Sequence, residues 1–456
     1  MDTSYYKSND GIQKLNEIQT KRFKDTKIID DIVNYDRECY NIYNLMQDNY
    51  KIRAKAQKLY KNAPDKNLLE ACDPNIYLQN NIIQDDLKKS NEKYYEYIKT
   101  LDKNGLKILF KYFDDKNVVL NNQHKEFENK RDELFKNIGN IIHESVPISN
   151  NENDNQIIKE WGIKKEGNFM SHYDLLPKIG LDTERGSKIA GSRAYFLTGD
   201  IAKLQLSLIS YATNFMIDRG FGIIIPPYFM NCDYMSKVAQ LEQFDEELYH
   251  VADGKNNYKY LIATSEQPIA AYYSGEILQN LPIKYTGYSP CFRRECGAHS
   301  KDTRGIFRVH QFDKIEQFCF CKQEESWNMM EEMICNAEEF YKSLEIPYRI
   351  INIVSGALNN SASKKYDLEA WFPGSQTYRE LVSCSNCTEY QARNMNIKYE
   401  EKNIKKYVHT LNSTLCALTR VLCVLCETHY NSENNIIKLP KVLIPYFGKE
   451  NIEILN

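Results

Sequence analysis

The chain has 456 residues, of which 42% are hydrophobic and 27% are charged. This length and apolar content exclude an intrinsically disordered protein and allow two or three domains with at least one sizeable core. The 59 basic and 62 acidic side chains leave a formal net charge of −3. No global field therefore attracts nucleic acid or membrane, and any polyanion must be bound by local patches.

The cysteines and the N-terminus indicate a reducing, intracellular setting. The 13 cysteines are odd in number and have no framework spacing, and the first residues, MDTSYYKSND, lack the order of a secretory signal. The most apolar runs are far shorter than the ~20 residues that a membrane span needs. We therefore expect a soluble cytoplasmic protein without membrane contact.

The first predicted element is a long helix from Asp25 to about Asn62, which contains no Gly or Pro. Apolar and aromatic residues recur in the 3,4 spacing of a coiled-coil seam. The seam comprises Ile32, Tyr35, Cys39, Ile42 and Met46. Its next positions, Asn49 and Arg53, are polar, so the packing stripe is expected to weaken toward the end of the helix.

A second seam predicts a partner helix and hence an antiparallel helical hairpin. Its apolar positions are Leu120, Phe127, Leu134, Ile138 and Ile141, and His124 and Arg131 interrupt them. Between the helices, the polar stretch 62–96 suits a tip or an inserted loop. We assign residues 1–150 to this N-terminal arm and 151–456 to a second domain.

The basic residues late in the first helix have two interpretations. They are Lys51, Arg53, Lys55, Lys58 and Lys61. A solvated helix face is the commoner reason for such a run, and phosphate contact by a projecting arm is the alternative. Charge alone does not decide between these two readings.

The second domain has a different pattern, with a helical period at 200–217 followed by short β-rich runs. These runs are IIIPPYF, YLIAT, IFRVHQF and RIINIV, bounded by Gly and Pro. Short strands with helices interspersed predict an α+β fold built on a mostly antiparallel sheet.

One predicted strand, 305–320, carries many ionic groups. Its period of two places one set of side chains on one face, namely Arg308, His310, Phe312, Lys314 and Glu316. The predicted hairpin partner, 288–295, adds Arg293 and Glu295. Arginines suit phosphates, an exposed ring suits a base and a carboxylate suits an ammonium group. A solvated cross-strand lattice of salt bridges is the alternative.

Five segments in order give the chain a family resemblance. They are GIIIPPYFM, TSEQPIAA, CFRRE with RGIFRVHQFDKIEQF, ELVSCSNCTEYQAR and HTLNSTLCALTR. Together they resemble the signature segments of class II aminoacyl-tRNA synthetases, specifically seryl-tRNA synthetases of the eukaryotic cytosolic kind. The resemblance implies a class II antiparallel catalytic sheet flanked by helices, with an N-terminal coiled-coil arm. It also implies activation of L-serine with ATP and transfer to serine tRNA, and to selenocysteine tRNA where a cell has one.

The resemblance implies roles for the ATP-binding residues. Arg293 would hold the α-phosphate and the attacking carboxylate, Glu295 would meet the adenine amino group, and Arg308 would reach the γ-phosphate. Phe312 and Arg420 would cover the two faces of adenine. The catalytic residues are expected to be Arg293, Arg308 and Arg420. The other expected ATP contacts are Arg294, Val309, His310, Gln311, Glu380, Leu381, Val382 and Ser383. We interpret His310 as a structural neighbour with no acid–base role.

The same resemblance implies the serine site, the metal ligands and the assembly. Thr264, Glu316, Glu266, Ser265 and Arg293 would bind serine at its charged groups, and Asn412 and Thr414 would line the pocket for the hydroxyl. Glu380 and Ser383 would coordinate Mg²⁺. Pro226 would end a strand at the interface of a homodimer, and the arm would bind tRNA.

Two other interpretations stay open at this point. A class II relative that loads a carrier protein would share the site, but such relatives generally lack the arm. A non-catalytic adaptor is disfavoured because the complete set of site residues is present. The paired Cys-x-x-Cys motifs at 384–387 and 423–426 are too far apart for common zinc ribbons, so we expect packing roles for them.

Overall fold

A computed structural model describes residues 3–65, 98–238, 247–254, 257–295 and 304–454. Of the predicted tip at 62–96, only residues 62–65 fall within these ranges. The chain folds into two compact units. The helical unit comprises Thr3–Asn16 and Asp25–Asn137, and the sheet unit comprises Glu17–Lys24 and Ile138–Asn456. Among the described residues, no helix is both long enough and apolar enough to span a bilayer.

The described α-helices are α1 Asn9–Lys21, α2 Lys27–Tyr60, α3 Lys103–Lys136, α4 His172–Leu175, α5 Thr183–Ala190, α6 Gly199–Ile217, α7 Cys232–Val238, α8 Glu266–Ala271, α9 Ser326–Ser343, α10 Tyr390–Met395, α11 Leu418–His429 and α12 Ile444–Phe447. The described strands are β1 Gln156–Trp161, β2 Leu181–Asp182, β3 Phe196–Leu197, β4 Gly222–Ile224, β5 Phe229–Asn231, β6 His250–Ala252, β7 Tyr258–Leu261, β8 Ile277–Leu278, β9 Ile283–Phe292, β10 Gln311–Cys321, β11 Tyr348–Asn352, β12 Lys364–Phe372, β13 Thr377–Asn386, β14 Lys398–Glu401, β15 Ile404–Tyr407, β16 His409–Ala417, β17 Tyr430–Asn431, β18 Ile436–Lys438 and β19 Asn451–Glu453.

The helical unit is an antiparallel pair of long helices, as predicted. The rings of Tyr35 on α2 and Phe127 on α3 stack with centroids 5.8 Å apart, whereas Arg53, further along α2, forms an ion pair with the earlier Asp114 at 2.8 Å. Residue numbers along α3 therefore decrease as those along α2 increase, which means that the two helices run antiparallel. The helix α3 begins after Asp102, whose side chain accepts a hydrogen bond from the Gly105 N–H at 2.8 Å and caps the first turn.

The polar seam positions do not interrupt the packing of the two helices. Asn49 is 5% exposed, and its side-chain amide donates to Asn117 Oδ1 at 2.9 Å. The expected weakening of the stripe is therefore wrong at this position, because a second asparagine on the partner helix matches the first. The second seam is shorter than expected, since α3 ends at Lys136 and both Ile138 and Ile141 lie beyond it.

The sheet unit is built on an eight-stranded sheet, counted over the described residues, with the order β1-β11-β12-β13-β16-β10-β9-β4. The strands pair in antiparallel fashion except for β4, which runs parallel to β9. This confirms the predicted α+β class with a mostly antiparallel sheet. Helices α6, α9 and α11 contribute buried apolar residues to the core beside the sheet. Strand β10 lies in the interior of the sheet between β9 and β16.

The strand predicted at 305–320 begins later, at Gln311. Gly305 has φ +71°, a left-handed conformation that ends extended structure and favours glycine. After it, Ile306 and Phe307 are both buried in the main core, so burial does not alternate as a strand at the surface of a core would require. Arg308 and His310 consequently come from a turn and not from the strand.

Arg22 is a cation enclosed by backbone carbonyls of the sheet unit. It is 1% exposed and donates to the carbonyl oxygen of Asn140 through Nε at 3.0 Å and Nη2 at 2.8 Å. Further guanidinium bonds reach the carbonyls of Asn359 at 3.0 Å and Ala362 at 2.6 Å. A Cβ on Gly139 would lie 2.5 Å from the Arg22 side chain, so only glycine fits there.

The asparagine pair predicts a non-additive effect on stability. Asn49→Leu alone should lower the free energy of unfolding by about 1–3 kcal/mol, because the Asn117 amide is then buried without its partner. The double variant Asn49→Leu/Asn117→Leu should recover most of this loss. Urea unfolding followed by far-ultraviolet circular dichroism measures both values, and a double variant as unstable as the single one would contradict the pairing.

Candidate active site

A cleft opens where the middle of the large sheet meets the start of α11. It is lined by Arg293, Glu295, Phe307, Arg308, Val309, Phe312, Lys314, Glu380, Leu381, Thr414, Ala417, Thr419 and Arg420. We call this the arginine cleft. Strand β10 contributes Phe312 and Lys314 because alternate residues of a strand share one face. Many of the residues expected to bind ATP are thus brought together.

The arginines at the ends of β9 and β10 have different partners. Arg308 Nη1 lies 2.8 Å from Glu295 Oε2 in an ion pair. The Arg293 guanidinium lies 5.4 Å from the ring centroid of Phe312, within the range of a cation–π contact. The ring expected to stack on a base therefore already supports a cation on one side.

Arg420, at the start of α11, is held by β13 and by an aromatic ring that the sequence reasoning missed. Its Nη1 donates to the Glu380 carbonyl oxygen at 3.0 Å, and its guanidinium lies 4.8 Å from the Phe307 ring centroid. Arg379 lies 3.6 Å from the same centroid. Phe307 was assigned to a strand pattern, so nothing in its spacing indicated contact with two arginines.

The Glu380 carboxylate is kept ionised by this cluster of positive charge. Burial opposes ionisation, but the charges of Arg420 and Lys365 outweigh it and lower the pKa of Glu380. Its Oε2 lies 3.8 Å from Arg420 Nη1. The cleft is therefore strongly cationic but contains a carboxylate at its edge.

Glu316 occupies the inner end of the line of β10 residues. Its Oε2 lies 2.6 Å from Lys314 Nζ, and Thr414 Oγ1 donates to the same oxygen at 3.4 Å. All three side chains are buried, with Glu316 2% exposed. The carboxylate expected to bind an ammonium group is thus matched by a lysine of the protein.

Glu266 lies in a buried hydrogen-bond network. Its Oε1 accepts from Gln391 Nε2 at 2.8 Å and from Asn412 Nδ2 at 3.0 Å. Gln391 Oε1 in turn accepts from Thr410 Oγ1 at 2.8 Å. Burial and then the charge of Glu316 raise the pKa of Glu266 to about 7, although its hydrogen bond from Gln391 acts in the opposite direction. The sequence reasoning missed Gln391, because its contact with Glu266 is far away in the sequence.

Several predicted residues do not line the arginine cleft. The His310 ring lies 3.0 Å from the Arg293 carbonyl oxygen through Nδ1, and His310 and Gln311 line a separate cavity beside Tyr249. His310 lies outside the arginine cleft because strand β10 begins only after it, at Gln311. His310 therefore does not share the face of Phe312, as the strand pattern required, and the interpretation of His310 as a structural neighbour agrees with this position.

Eight other predicted residues are also outside the lining of the cleft. Four of them are Glu266, Glu316, Ser383 and Asn412, and the other four are described next. Val382 is fully buried in the main core, and Ser265 is fully buried with its Oγ 2.7 Å from where a Cβ on Gly287 would lie. The backbone N–H of Arg294 donates to the Glu247 carbonyl at 2.9 Å. Thr264 Oγ1 accepts from the Glu266 N–H at 3.3 Å, which places it at the start of α8.

Ser383 lies opposite Asp367 in the pairing of β12 and β13. Burial raises the pKa of Asp367 to about 7, even though Lys365 Nζ is 3.6 Å from Asp367 Oδ2. Its other oxygen, Oδ1, is buried and has no hydrogen-bond partner among the described residues. Of these residues and Glu380, only Glu380 lines the arginine cleft.

The cysteines of the two Cys-x-x-Cys motifs are buried and carry free thiols. They are Cys384, Cys387, Cys423 and Cys426. Burial raises the pKa of each thiol. Within the described ranges, no group of three or more His, Cys, Asp or Glu side chains is arranged to hold a metal ion.

The arrangement can bind a charged nucleotide beside a small amine. Three guanidinium groups in one cleft suit phosphate oxygens, and a half-buried ring suits a base. The buried carboxylate of Glu316 and the half-buried carboxylate of Glu266 suit an ammonium group. Preorganised cations of this kind also stabilise charge that develops on a phosphorus centre.

Comparisons with known proteins agree with this chemistry. Residues 249–429 match the class II core domain of tRNA synthetases (G, H, P, S and T). The cytoplasmic serine–tRNA ligase of Dictyostelium discoideum is 57% identical over 327 residues, which cover 70% of this chain and 72% of the relative. The crystal structure of the cytoplasmic enzyme from Naegleria fowleri in complex with AMP has a TM-score of 0.86 and 40% identity, covering 100% of this chain and 99% of that one. The seryl-tRNA synthetase of Pyrococcus horikoshii complexed with ATP has a TM-score of 0.83 and 34% identity over 100% of both chains.

The antiparallel sheet, the arginine cleft at its centre and the core-domain match define a class II aminoacyl-tRNA synthetase. Within that class the identity to the Dictyostelium enzyme is high and extends over more than two thirds of both chains. The chain belongs to the seryl-tRNA synthetases, in the group of cytoplasmic serine–tRNA ligases. The resemblance read from the sequence motifs is confirmed.

The raised pKa of Glu266 predicts a pH-dependent contribution to stability. Its pKa in the folded chain, about 7, lies above the ordinary 4.5, so protonation favours the folded state. This contribution is present at low pH and is lost as the pH rises through about 7. Glu266→Gln removes it, so relative to the parent chain the free energy of unfolding of the variant should rise by as much as about 3 kcal/mol between pH 5 and pH 8. Urea unfolding of both proteins at the two pH values measures this difference, and a pH-independent difference would contradict the assignment.

Proposed function

We propose that this chain activates L-serine with ATP in the cytoplasm and transfers the seryl group to serine tRNA, and to selenocysteine tRNA where a cell has one. The observation that carries the proposal is the presence of Arg293, Arg308 and Arg420 in one cleft, with the buried carboxylate of Glu316 beyond them. The related enzymes solved in complex with AMP and with ATP support a nucleotide ligand for this chain.

ATP would be held by the cations and the ring of the arginine cleft. Arg293 would contact the α-phosphate, Arg308 the γ-phosphate, and Phe312 and Arg420 would lie on the two faces of adenine. Glu295, which forms an ion pair with Arg308 at 2.8 Å, would accept from the adenine amino group. This proposal requires that pair to loosen, because the γ-phosphate and the carboxylate would share the same guanidinium.

Serine would bind at the inner end of β10. Its ammonium group would lie near Thr264 and Glu316, with Glu266 beneath, and its hydroxyl near Asn412 and Thr414. Glycine and alanine are smaller than serine and would fit any pocket that admits serine. A site that hydrogen-bonds the hydroxyl disfavours them, because its buried polar groups would be left without partners.

Mg²⁺ fits the oxygen donors that β12 and β13 provide. Glu380 and Ser383 would coordinate the ion, and the buried Asp367 Oδ1, which has no hydrogen-bond partner among the described residues, lies on the neighbouring strand. Mg²⁺ prefers oxygen ligands and usually takes part of its coordination from substrate phosphates. When bound, the ion would neutralise phosphate charge.

Adenylation requires two anions to meet. A carboxylate oxygen of serine attacks the α-phosphorus in line, and the bond from that phosphorus to the bridging oxygen of pyrophosphate breaks. The cations of Arg293, Arg308 and Arg420 would reduce the repulsion between substrates and stabilise the charge that builds up. No group in this scheme has to accept or donate a proton.

The helical unit would bind tRNA, and the sheet unit would form a homodimer. Lysines and arginines on a long helix suit the phosphate backbone and give affinity with little base readout. Pro226 follows the edge strand β4, and its neighbours Ile223, Ile225 and Phe229 are 51%, 62% and 49% exposed. An apolar strip of this kind beside an edge strand supports an interface with a second copy.

Two sequential assays test the proposed activity. The purified chain should catalyse ATP–pyrophosphate exchange that depends on L-serine, and it should then charge a fraction of total tRNA with labelled serine. Exchange without charging would favour a relative that loads another acceptor. If serine stimulated neither reaction, the proposed function would be wrong.

Asn412 provides a sharper test of serine selection. Asn412→Ala should lower serine-dependent exchange by ~10²-fold while ATP affinity is retained, since the loss of a polar partner costs about 1–3 kcal/mol. Ser413→Ala is the matched control, because the next residue on β16 directs its Oγ to the opposite face. An unchanged exchange rate for Asn412→Ala would remove Asn412 from the serine pocket.

Removal of the helical hairpin should separate the two half-reactions. Replacing residues 27–136 by a short Gly/Ser linker should leave serine adenylation intact and abolish tRNA charging. The deletion must stop before Asn140, because its side-chain amide donates to the carbonyls of Ser361 at 2.9 Å and Cys387 at 2.8 Å inside the sheet unit. Efficient charging by the truncated protein would refute the role of the helical unit.

A further inference from the structure

Lys314 is a buried lysine for which the scheme above has no use. It is 6% exposed and lies in the interior of the large sheet, opposite Ser289 of β9 and Ala417 of β16. Lysine is rarely buried unless it is paired, because transfer of an ammonium group out of water is unfavourable. A lysine in this position therefore needs either a structural or a functional reason.

Its partner is the carboxylate expected to bind the substrate. Lys314 Nζ lies 2.6 Å from Glu316 Oε2, and the two residues share one face of β10. The lysine also lines the arginine cleft, together with Arg293, Phe312 and Thr414. Lys314 thus joins the arginine cleft to the buried carboxylate of Glu316, which does not itself line the cleft.

The order of side chains along β10 locates Lys314 relative to the substrates. Alternate residues of a strand are ~6.6 Å apart, so Phe312, Lys314 and Glu316 form a line of about 13 Å. With adenine on Phe312 and the serine ammonium on Glu316, the residue between them lies beside the serine carboxylate and the α-phosphate. This placement rests on the proposed function.

We propose that Lys314 and Glu316 form a charge clamp for the zwitterion of the amino acid. In the free enzyme the two side chains neutralise each other. When serine binds, its ammonium group replaces Lys314 at Glu316, and Lys314 Nζ turns to the serine carboxylate. One internal ion pair is thereby exchanged for two ion pairs with the ligand.

The clamp gives the site a preference for free amino acids with both charges. A ligand that has the ammonium group but a neutral carboxyl group separates Lys314 from Glu316 without offering the lysine an anion. A buried charge without a partner is strongly unfavourable, so such a ligand binds weakly. A purely structural lysine would stabilise Glu316 but would not distinguish between the two ligands.

The test compares L-serine with L-serinamide, which has the same shape and a neutral amide in place of the carboxylate. The KM of serine and the inhibition constant of serinamide are both measured in ATP–pyrophosphate exchange. In the parent enzyme serine should be favoured by at least about 10-fold, as expected for a hydrogen bond to a charged group. Equal affinities in the parent enzyme would overturn the clamp without any variant.

Lys314→Met should raise the KM of serine about 10- to 100-fold and change serinamide inhibition much less, so that the preference collapses. Lys314→Arg should keep the preference because it keeps the charge. Lys284→Met is the matched control, since Lys284 of β9 forms a 2.7 Å ion pair with Glu332 of α9 and does not line the cleft.

The outcomes separate the clamp from the proposed function. Thermal unfolding of each variant shows whether it is folded. If Lys314→Met is not folded, the preference for serine over serinamide in the parent enzyme and in Lys314→Arg tests the clamp instead. An unchanged preference in folded Lys314→Met would overturn the clamp while leaving serine activation in place. Absence of serine-dependent exchange in the parent enzyme would instead refute the proposed function.

Discussion

A cationic side chain in a partly buried cleft needs an interaction partner while the cleft contains no anionic ligand. Here three cations that line the arginine cleft each have such a partner within the protein. Arg308 lies on Glu295, Lys314 on Glu316, and Arg420 on the backbone and side chain of β13. The positive charge is thereby balanced within the folded chain, and the proposed binding of ATP and serine would exchange these partners for substrate groups.

The large sheet makes this arrangement possible because it brings residues from distant parts of the chain onto one surface. Strand β10 lies between β9 and β16, and the start of α11 follows directly from β16. The buried network around Glu266 lies beside this surface and joins α8, α10 and β16 through three hydrogen bonds. Polar networks of this kind are rigid when every member is satisfied, so these hydrogen bonds fix the positions of the three elements.

The sequence predicted local regularity well and long-range contact poorly. The period of two placed Phe312, Lys314 and Glu316 on one face, and the seam spacing predicted two long antiparallel helices. The strand pattern failed at its start, since Gly305 has a positive φ, the strand begins only at Gln311, and His310 lines a different cavity. The seam pattern predicted weaker packing at Asn49, and this was wrong because Asn117 on the other helix is its hydrogen-bond partner.

Contacts between residues far apart in the chain had no local signal. Gln391 is 125 residues from Glu266, and Phe307 approaches two arginines that lie more than 70 residues away. Only the family motifs indicated that these segments belong to one site. Such motifs indicate expected binding residues better than they indicate the residues that support them. Supporting residues become visible when the hydrogen bonds of each binding residue are followed to their other end.

The bond between Arg22 and the Asn140 carbonyl has a consequence for the hairpin segment. These two residues flank the chain segment that forms the long hairpin, and both are fixed within the sheet unit by carbonyls and by each other. The two ends of the hairpin segment are thus held together whatever sequence lies between them. The length, charge and surface of the segment can therefore change without displacing its two ends, which the sheet unit fixes in place.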